Sequence, residues 1–113
     1  MMTDIQEVVN GLLQELRRGT IIIGVLSQLS EPQYGYSLVM ILEEKGMAID
    51  PGTLYPLLRR LEKQGLLESE WDTTESRPRK YYRRSELGTE VYRQLCSDWR
   101  EMNRSVESLL DLN

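Results

Sequence analysis

The 113-residue sequence predicts one mainly α-helical domain with a single β-hairpin, and three observations lead to this class. Apolar residues recur at three- and four-residue spacing along most of the chain, which is typical of amphipathic helices. Two short runs, residues 66–71 and 79–84, instead flank a segment rich in Asp, Thr, Ser and Pro, as the strands of a hairpin do. The length fits one hydrophobic core, and a hydrophobic fraction of 40% argues against wholesale disorder.

The N-terminal segment predicts a helix. Thr3 followed by Gln6 fits a capping box, so the helix should begin near Asp4. Apolar residues then continue at helical spacing as far as Leu29. Gly19 weakens a helix by about 1 kcal/mol relative to alanine. The segment is therefore either one long helix or two helices that abut near this glycine.

A proline-containing turn at residues 30–33 precedes a second predicted helix, which runs from about Tyr34 to Lys45. Gly46 stands where a residue of left-handed conformation closes a helix. Residues 47–49 are too few for anything but a bridging strand.

A third helix is predicted to open with Asp50 as N-cap and Pro51 at its first position, and to end before Gly65. Pro56 lacks an amide hydrogen, so either the helix begins near Thr53 or its first turn is irregular. The leucines of this segment share one side, and the basic residues lie on the others. We therefore expect an amphipathic helix with a cationic outer side.

Ser85 is predicted to cap a last helix whose apolar positions approach a heptad repeat from Leu95 onward. A terminal helix with such a seam is expected to pack against a partner. The seam consists of Leu87, Val91, Leu95, Trp99, Met102, Val106 and Leu109.

Several classes of site are excluded by composition. The chain has no histidine and one cysteine, which removes thiolate–imidazole zinc sites, internal disulfides and triads with an imidazole base. Its carboxylates are scattered, so a carboxylate enzyme is the most distant hypothesis. No apolar run approaches membrane-spanning length, and the N-terminus lacks the positive charge of a signal peptide. We expect a cytoplasmic protein that is not an enzyme and has no metal, no cofactor and no membrane partner.

The distribution of charge is more informative than its total of −4. The net charge is −3 over residues 1–49, +2 over residues 50–84 and −3 over residues 85–113. Within the basic segment, residues 77–84 hold five cations, two adjacent tyrosines and no acid. Such a concentrated basic patch on an acidic protein favours contact with a polyanion.

The order helix, helix, short strand, helix, hairpin, helix is that of a winged helix-turn-helix with a two-stranded β wing and a long C-terminal dimerisation helix. In this fold the third helix enters the major groove and the hairpin contacts flanking phosphates. The cations lie on those two elements, which predicts binding to double-stranded DNA. The alternative is a winged-helix module that binds protein instead; it predicts an exposed apolar patch on the third helix and hairpin and no affinity for DNA.

The sequence resembles PadR-type transcriptional regulators, in particular the short subgroup with a single C-terminal helix. The resemblance rests on a GTLYPLLRRLE block at residues 52–62 followed by PRKYYR at residues 78–83, together with Tyr34-Gly35-Tyr36, Gly65-Leu66-Leu67, Trp71 and Gly88. It covers about residues 16–110.

The resemblance implies a homodimeric repressor with a winged-helix DNA-binding domain at residues 1–84, including a helical extension at 1–18, and a dimerisation helix at 85–113. Twofold symmetry predicts a pseudo-palindromic operator. The cationic side of the third helix adds Arg59 to the DNA-facing residues that the resemblance implies. Those residues are Tyr34, Tyr36, Thr53, Tyr55, Pro56, Arg79 and Lys80.

Related short members have aromatic residues of the dimer helix beside a cavity between subunits, and Trp99 matches such a position. This similarity implies a small apolar, aromatic or phenolic effector, although a tryptophan in an apolar seam also serves simply as core. The residues expected at this effector site and dimer interface are Tyr92, Leu95, Cys96, Trp99, Met102 and Val106.

Overall fold

The computed structural model describes residues 2–110, with side chains from residue 4 onward. It is mainly helical and contains one small antiparallel sheet, as predicted. The elements are α1 (Met2–Ser27), β1 (Gln33–Tyr34), α2 (Gly35–Glu44), α3 (Pro51–Lys63), β2 (Leu67–Asp72), β3 (Arg79–Arg84) and α4 (Glu86–Leu110).

The first helix is continuous over 26 residues, so the alternative of a break near Gly19 is wrong. A Cβ atom at Gly19 would meet nothing within 4 Å, which shows that neither packing nor a turn requires glycine there. The helix also begins earlier than the expected start near Asp4. The side chain of Thr3, and with it the predicted capping box, lies outside the described residues.

The sheet has three strands in the order β1-β3-β2, one more than the predicted hairpin. Tyr34 pairs with Tyr81, whereas the bridging strand expected at residues 47–49 does not form. The reason is that Gly46 takes a φ of +88° and the amide of Met47 donates to the carbonyl of Leu42 at 2.8 Å. This amide is therefore used to close α2 and cannot enter the sheet.

The third helix begins at Pro51, with Asp50 as its cap, and not near Thr53. The Asp50 carboxylate accepts from the Thr53 amide at 3.0 Å and from its hydroxyl at 3.1 Å. The helix continues through Pro56, which has no amide hydrogen, so the backbone hydrogen bond from residue 56 to the carbonyl of Gly52 is missing. Because Gly52 is solvent-exposed, water can hydrogen-bond that carbonyl, and the first turn stays helical.

Apolar residues from the end of α1, from α2 and α3 and from the hairpin meet in one core. The buried apolar residues are Val25, Leu26, Leu29, Leu38, Leu42, Leu54, Leu58, Leu61, Leu67 and Tyr82. Through this core α3 packs against α2 and β2, and the side of α3 that faces away from the core is exposed.

The last helix is capped by Ser85, as predicted. The Ser85 hydroxyl donates to the carbonyl of Gly65 at 2.6 Å and accepts from the amide of Gly88 at 2.9 Å. Gly88 is buried against the backbone carbonyl of Leu66, which a Cβ atom at residue 88 would overlap. Within residues 2–110, no helix is long and apolar enough to cross a bilayer, and no three acidic or cysteine side chains are grouped to hold a metal ion.

Candidate nucleic-acid interface

The outer face of α3 is exposed and carries no acidic side chain. Leu54, Leu58 and Leu61 face the core with at most 2% of their surface accessible. The opposite side of the helix presents Thr53, Pro56, Arg59, Arg60 and Lys63, all of them exposed. We call this set the α3 outer face.

The start of α2 lies directly against α3. Gly35 is buried against the Tyr55 ring, and a Cβ atom at this glycine would overlap that ring. Tyr55 is therefore half-buried between the two helices, while Tyr36, one residue beyond Gly35, is 70% exposed. The two tyrosines thus differ: the ring of Tyr55 packs within the protein and that of Tyr36 faces solvent.

Tyr34 ties the start of α2 to the far end of the hairpin. Its hydroxyl donates to the Asp72 carboxylate at 2.5 Å, across 38 residues of sequence. This bond raises the pKa of Tyr34 and, together with the hydroxyl and amide of Thr74, lowers the pKa of Asp72 to about 2. The guanidinium of Arg79 lies 4.5 Å from the centre of the Tyr34 ring. Tyr34 therefore holds Arg79 and the end of β2 in one cluster, which we call the wing latch.

The remaining cations of β3 divide between the two sides of the strand, because neighbouring side chains alternate. Tyr82 points into the core, and Lys80 and Arg84 lie on its side. Lys80 is within 3.4 Å of the Glu62 carboxylate on α3 and 5.3 Å from the centre of the Tyr82 ring. Glu62 also accepts a hydrogen bond from Ser69 of β2. Lys80 therefore links the wing to α3.

Arg84 lies where β3 passes α1 and α4. Its Nη1 donates to the carbonyl of Leu26 at 2.7 Å, and its guanidinium lies 4.4 Å from the centre of the Tyr92 ring. The Tyr92 hydroxyl interacts with Cys96, which raises the pKa of Tyr92. Arg84 is thus an internal link between helices and is not part of an exposed basic patch.

On the other side of the strand, the carboxylates of β2 neutralise part of the outward surface. Arg83 lies 3.0 Å from Glu68, and the Tyr81 hydroxyl donates to Glu70 at 2.8 Å, which raises the pKa of Tyr81. The five cations of residues 77–84 therefore do not form one continuous patch. Arg79 is outward-facing, and its ion pair at 3.4 Å is with Glu75, in the polar turn of its own hairpin, through side chains that are largely exposed.

A second feature is an open apolar groove of about 420 Å³ between α1 and α4. Four of the residues predicted for the effector site and dimer interface line it, namely Leu95, Trp99, Met102 and Val106. Tyr92 and Cys96 do not line this groove; Tyr92 faces Arg84 instead. The groove is also lined by apolar side chains of α1 that were not predicted for this site, such as Leu16 and Ile23.

Sequence reasoning missed two acidic residues that organise the interface, Asp72 and Glu62. Asp72 accepts a hydrogen bond from Tyr34, 38 residues away, and Glu62 accepts one from Lys80, 18 residues away, and no local pattern reveals these pairs. Strand alternation is the one signal that could have separated Arg79 from Lys80 and Arg84, because Tyr82 is the apolar neighbour on the inner side.

Comparison with known proteins agrees with this geometry. The transcriptional regulator PadR-like family matches residues 22–94. A crystal structure of a PadR-family transcriptional regulator from Eggerthella lenta is 49% identical, covers 98% of this chain and 99% of its own, and superposes with a TM-score of 0.94. A PadR-like transcription factor from Bacteroides fragilis is 33% identical, covers 88% and 98%, and has a TM-score of 0.73.

A transcriptional regulator of Mycobacterium tuberculosis is 35% identical over 77 residues, which are 67% of this chain and 72% of that protein. These relatives are regulators and not enzymes, which confirms the prediction that the chain has no catalytic role. With its family match across the core, hairpin and start of α4, the chain belongs to the PadR-like family of transcriptional regulators.

Proposed function

We propose that this regulator is a homodimeric repressor that binds a pseudo-palindromic DNA operator. The observation that carries the proposal is the α3 outer face, whose three cations are exposed, together with the outward-facing Arg79 of the wing latch. Thr53 and Pro56 of α3 enter the major groove, Arg59 contacts phosphates at the edge of that groove, and Tyr36 and Arg79 contact flanking phosphates.

Tyr34, Tyr55 and Lys80, which were also expected to face DNA, have a positioning role in this proposal. All three are half-buried, and each contacts another element of the protein: Tyr34 the hairpin, Tyr55 the start of α2, and Lys80 the carboxylate of Glu62. Their contacts support the relative placement of α2, α3 and the wing, on which a match to groove and backbone depends.

The alternative of a protein-binding winged helix receives less support. It requires an exposed apolar patch on α3 and the wing. The α3 outer face instead carries three cations, and most of the exposed large apolar side chains belong to α1 and α4. Trp71 on β2, which is 62% exposed, is a single residue and not a patch.

The DNA-binding proposal is tested by selection of a random-sequence duplex library with the native protein, followed by fluorescence-anisotropy titration of the enriched duplex. Two inverted half-sites with centres about 10 base pairs apart are expected. Affinity should fall steeply with salt. Arg59→Gln should remove one phosphate contact from each subunit and so reduce the magnitude of the slope of log K against log salt by about 2 for the dimer. Absence of any enriched sequence and of salt-dependent binding would contradict the proposal.

The homodimer is supported by the apolar seam of α4, which lacks cover in the single chain. Trp99, Met102, Val106 and Leu109 are 41–69% exposed. Burying a central tryptophan of an interface commonly contributes 2 kcal/mol or more. Trp99→Ala should therefore weaken dimerisation at least about 30-fold in sedimentation equilibrium, whereas Trp71→Ala, a matched loss of an exposed tryptophan on the wing, should not change it.

The same proposal includes a small-molecule effector that binds between the two subunits. In a dimer, the partner's α4 would cover the groove between α1 and α4 and leave a cavity that takes a small apolar or aromatic molecule beside Trp99. The groove is apolar apart from Thr20, Asp98 and Asn103, which suits a ligand with one polar group. Quenching of Trp99 fluorescence by planar aromatic compounds, measured against a Trp99→Phe background, tests this step; unchanged fluorescence throughout would contradict it.

A further inference from the structure

A cavity of about 540 Å³ lies between α1 and α3. Its apolar lining comes from Ile21, Ile22 and Leu57, which are half-buried. Two arginines, Arg18 of α1 and Arg60 of α3, border the same space, and both are exposed. Positively charged side chains from two different helices therefore lie along one edge of the proposed DNA-facing surface.

This edge is continuous with the α3 outer face, because Thr53 and Pro56 line the cavity as well. No carboxylate lines it, and among residues 4–110 neither Arg18 nor Arg60 has an acidic side chain within ion-pair distance. Two unneutralised guanidinium groups beside residues that enter the major groove present the donors that phosphate oxygens accept.

The position of α1 indicates which phosphates are within reach. The other side of α1, with Leu16, Thr20 and Ile23, lines the groove that it shares with α4. If the partner subunit packs on that groove, α1 lies between α3 and the twofold axis. The Arg18–Arg60 edge then faces the centre of the operator, between the two half-sites, whereas Arg79 faces its outer flank.

The geometry points to Arg18 and Arg60 as a second phosphate-binding site, which contacts the DNA backbone at the spacer between the half-sites. This inference rests on the proposed DNA-binding function and adds to it a contact from α1, an element outside the helix-turn-helix and wing. The spacer bases are not read by these residues, so the contribution is to affinity and register and not to sequence preference.

The experiment measures binding of the selected duplex over 50–200 mM salt for the native protein and for Arg18→Gln, Arg60→Gln and the double variant. Each lost phosphate contact should reduce the magnitude of the slope of log K against log salt by about 0.9. Because a dimer has two copies of each residue, each single variant should reduce this slope by about 2 and the double variant by about 4. Arg17→Gln is the matched control, because Arg17 is the preceding residue of α1 and does not line the cavity. Arg18→Lys and Arg60→Lys keep the charge and should keep the native salt dependence.

A second arm replaces the spacer phosphates of the same duplex by neutral methylphosphonates. The native protein should lose affinity on this duplex, and the double glutamine variant should lose none beyond its own defect, because the two changes remove the same contacts. An equal flattening by Arg17→Gln, or unchanged salt dependence in the double variant, would overturn the inference while leaving DNA binding intact. Failure of the native protein to bind any duplex would overturn the proposed function and this inference together.

Discussion

Arg79 and Arg84 lie on the same strand, five residues apart, and the same substitution in each should affect different properties. Arg79 faces outward, where it makes an exposed ion pair with Glu75, which contributes at most about 1 kcal/mol to stability, and lies over the Tyr34 ring. Arg84 faces inward, where it donates to the Leu26 carbonyl and lies over the Tyr92 ring.

The two magnitudes follow from these contacts. A hydrogen bond from a charged donor contributes about 1.5–3 kcal/mol and a cation–π contact about 0.5–1 kcal/mol. The Leu26 carbonyl keeps a second donor, the amide of Leu29 at 3.2 Å, so the loss lies toward the lower end. Arg84→Gln should therefore lower the free energy of unfolding by about 2 kcal/mol and leave the salt dependence of DNA binding unchanged. Arg79→Gln should reduce the slope of log K against log salt by about 2 for the dimer. Loss of its exposed ion pair and of its contact with the Tyr34 ring should lower the free energy of unfolding by about 1 kcal/mol, which is less than for Arg84→Gln.

Urea unfolding at fixed protein concentration and anisotropy titrations at several salt concentrations measure the two quantities. The variants carry the same change in net charge, so each is the control for long-range electrostatic effects in the other. The reasoning would be refuted by a folded Arg84→Gln protein whose salt dependence is as flat as that of Arg79→Gln, since Arg84 would then contact phosphate. An unchanged salt dependence in Arg79→Gln would remove Arg79 from the interface.

Three further predictions concern the fold that supports the site. Tyr34→Phe removes the donor to Asp72, so the pKa of Asp72 should rise from about 2 toward its ordinary 3.8, as followed by carboxyl NMR titration. Because the pKa of Asp72 is lower in the folded state than in the unfolded state, the stability that this residue contributes is present above about pH 4 and is lost as the pH falls toward 2. The free energy of unfolding of the variant should therefore decrease less than that of the native protein over this pH range. Gly88→Ala places a Cβ atom on a backbone carbonyl and should destabilise the protein by about 1–3 kcal/mol in urea, whereas Gly11→Ala, in open helix, should stabilise it by up to about 1 kcal/mol; equal effects would contradict the packing of α4. Leu54→Ala should cost about 2–5 kcal/mol in the same assay, and a cost below 1 kcal/mol would show that α3 is not anchored by this side chain.

Much of the fold could be predicted because its signals are local. The cap of α3 at Asp50, the cap of α4 at Ser85 and the positive φ of Gly46 and Gly65 each depend on a few neighbouring residues. The two strands of the hairpin were placed to within one residue at each end. The errors arose where local preference competes with its surroundings, as at Gly19, where a weak helix former stays inside a long helix.

The candidate site was predictable only in its composition. The sequence determined by itself that cations, tyrosines and a proline-containing amphipathic helix occur together in one basic segment, and that the chain resembles a regulator family. Residue type and period are properties of short stretches, so reading them requires no knowledge of the fold.

Only the tertiary structure decided which of these residues face outward and what each one contacts. The third strand forms because β3 has a free edge next to Gln33 and Tyr34, and the wing latch forms because that pairing brings Tyr34 near Asp72. The burial of Tyr82 turns Lys80 and Arg84 inward and leaves Arg79 outside. The placement of α1 beside α3 brings Arg18 and Arg60, 42 residues apart, to the edge of one cavity. Such contacts join residues that are distant in sequence, and chain packing, not local preference, selects them.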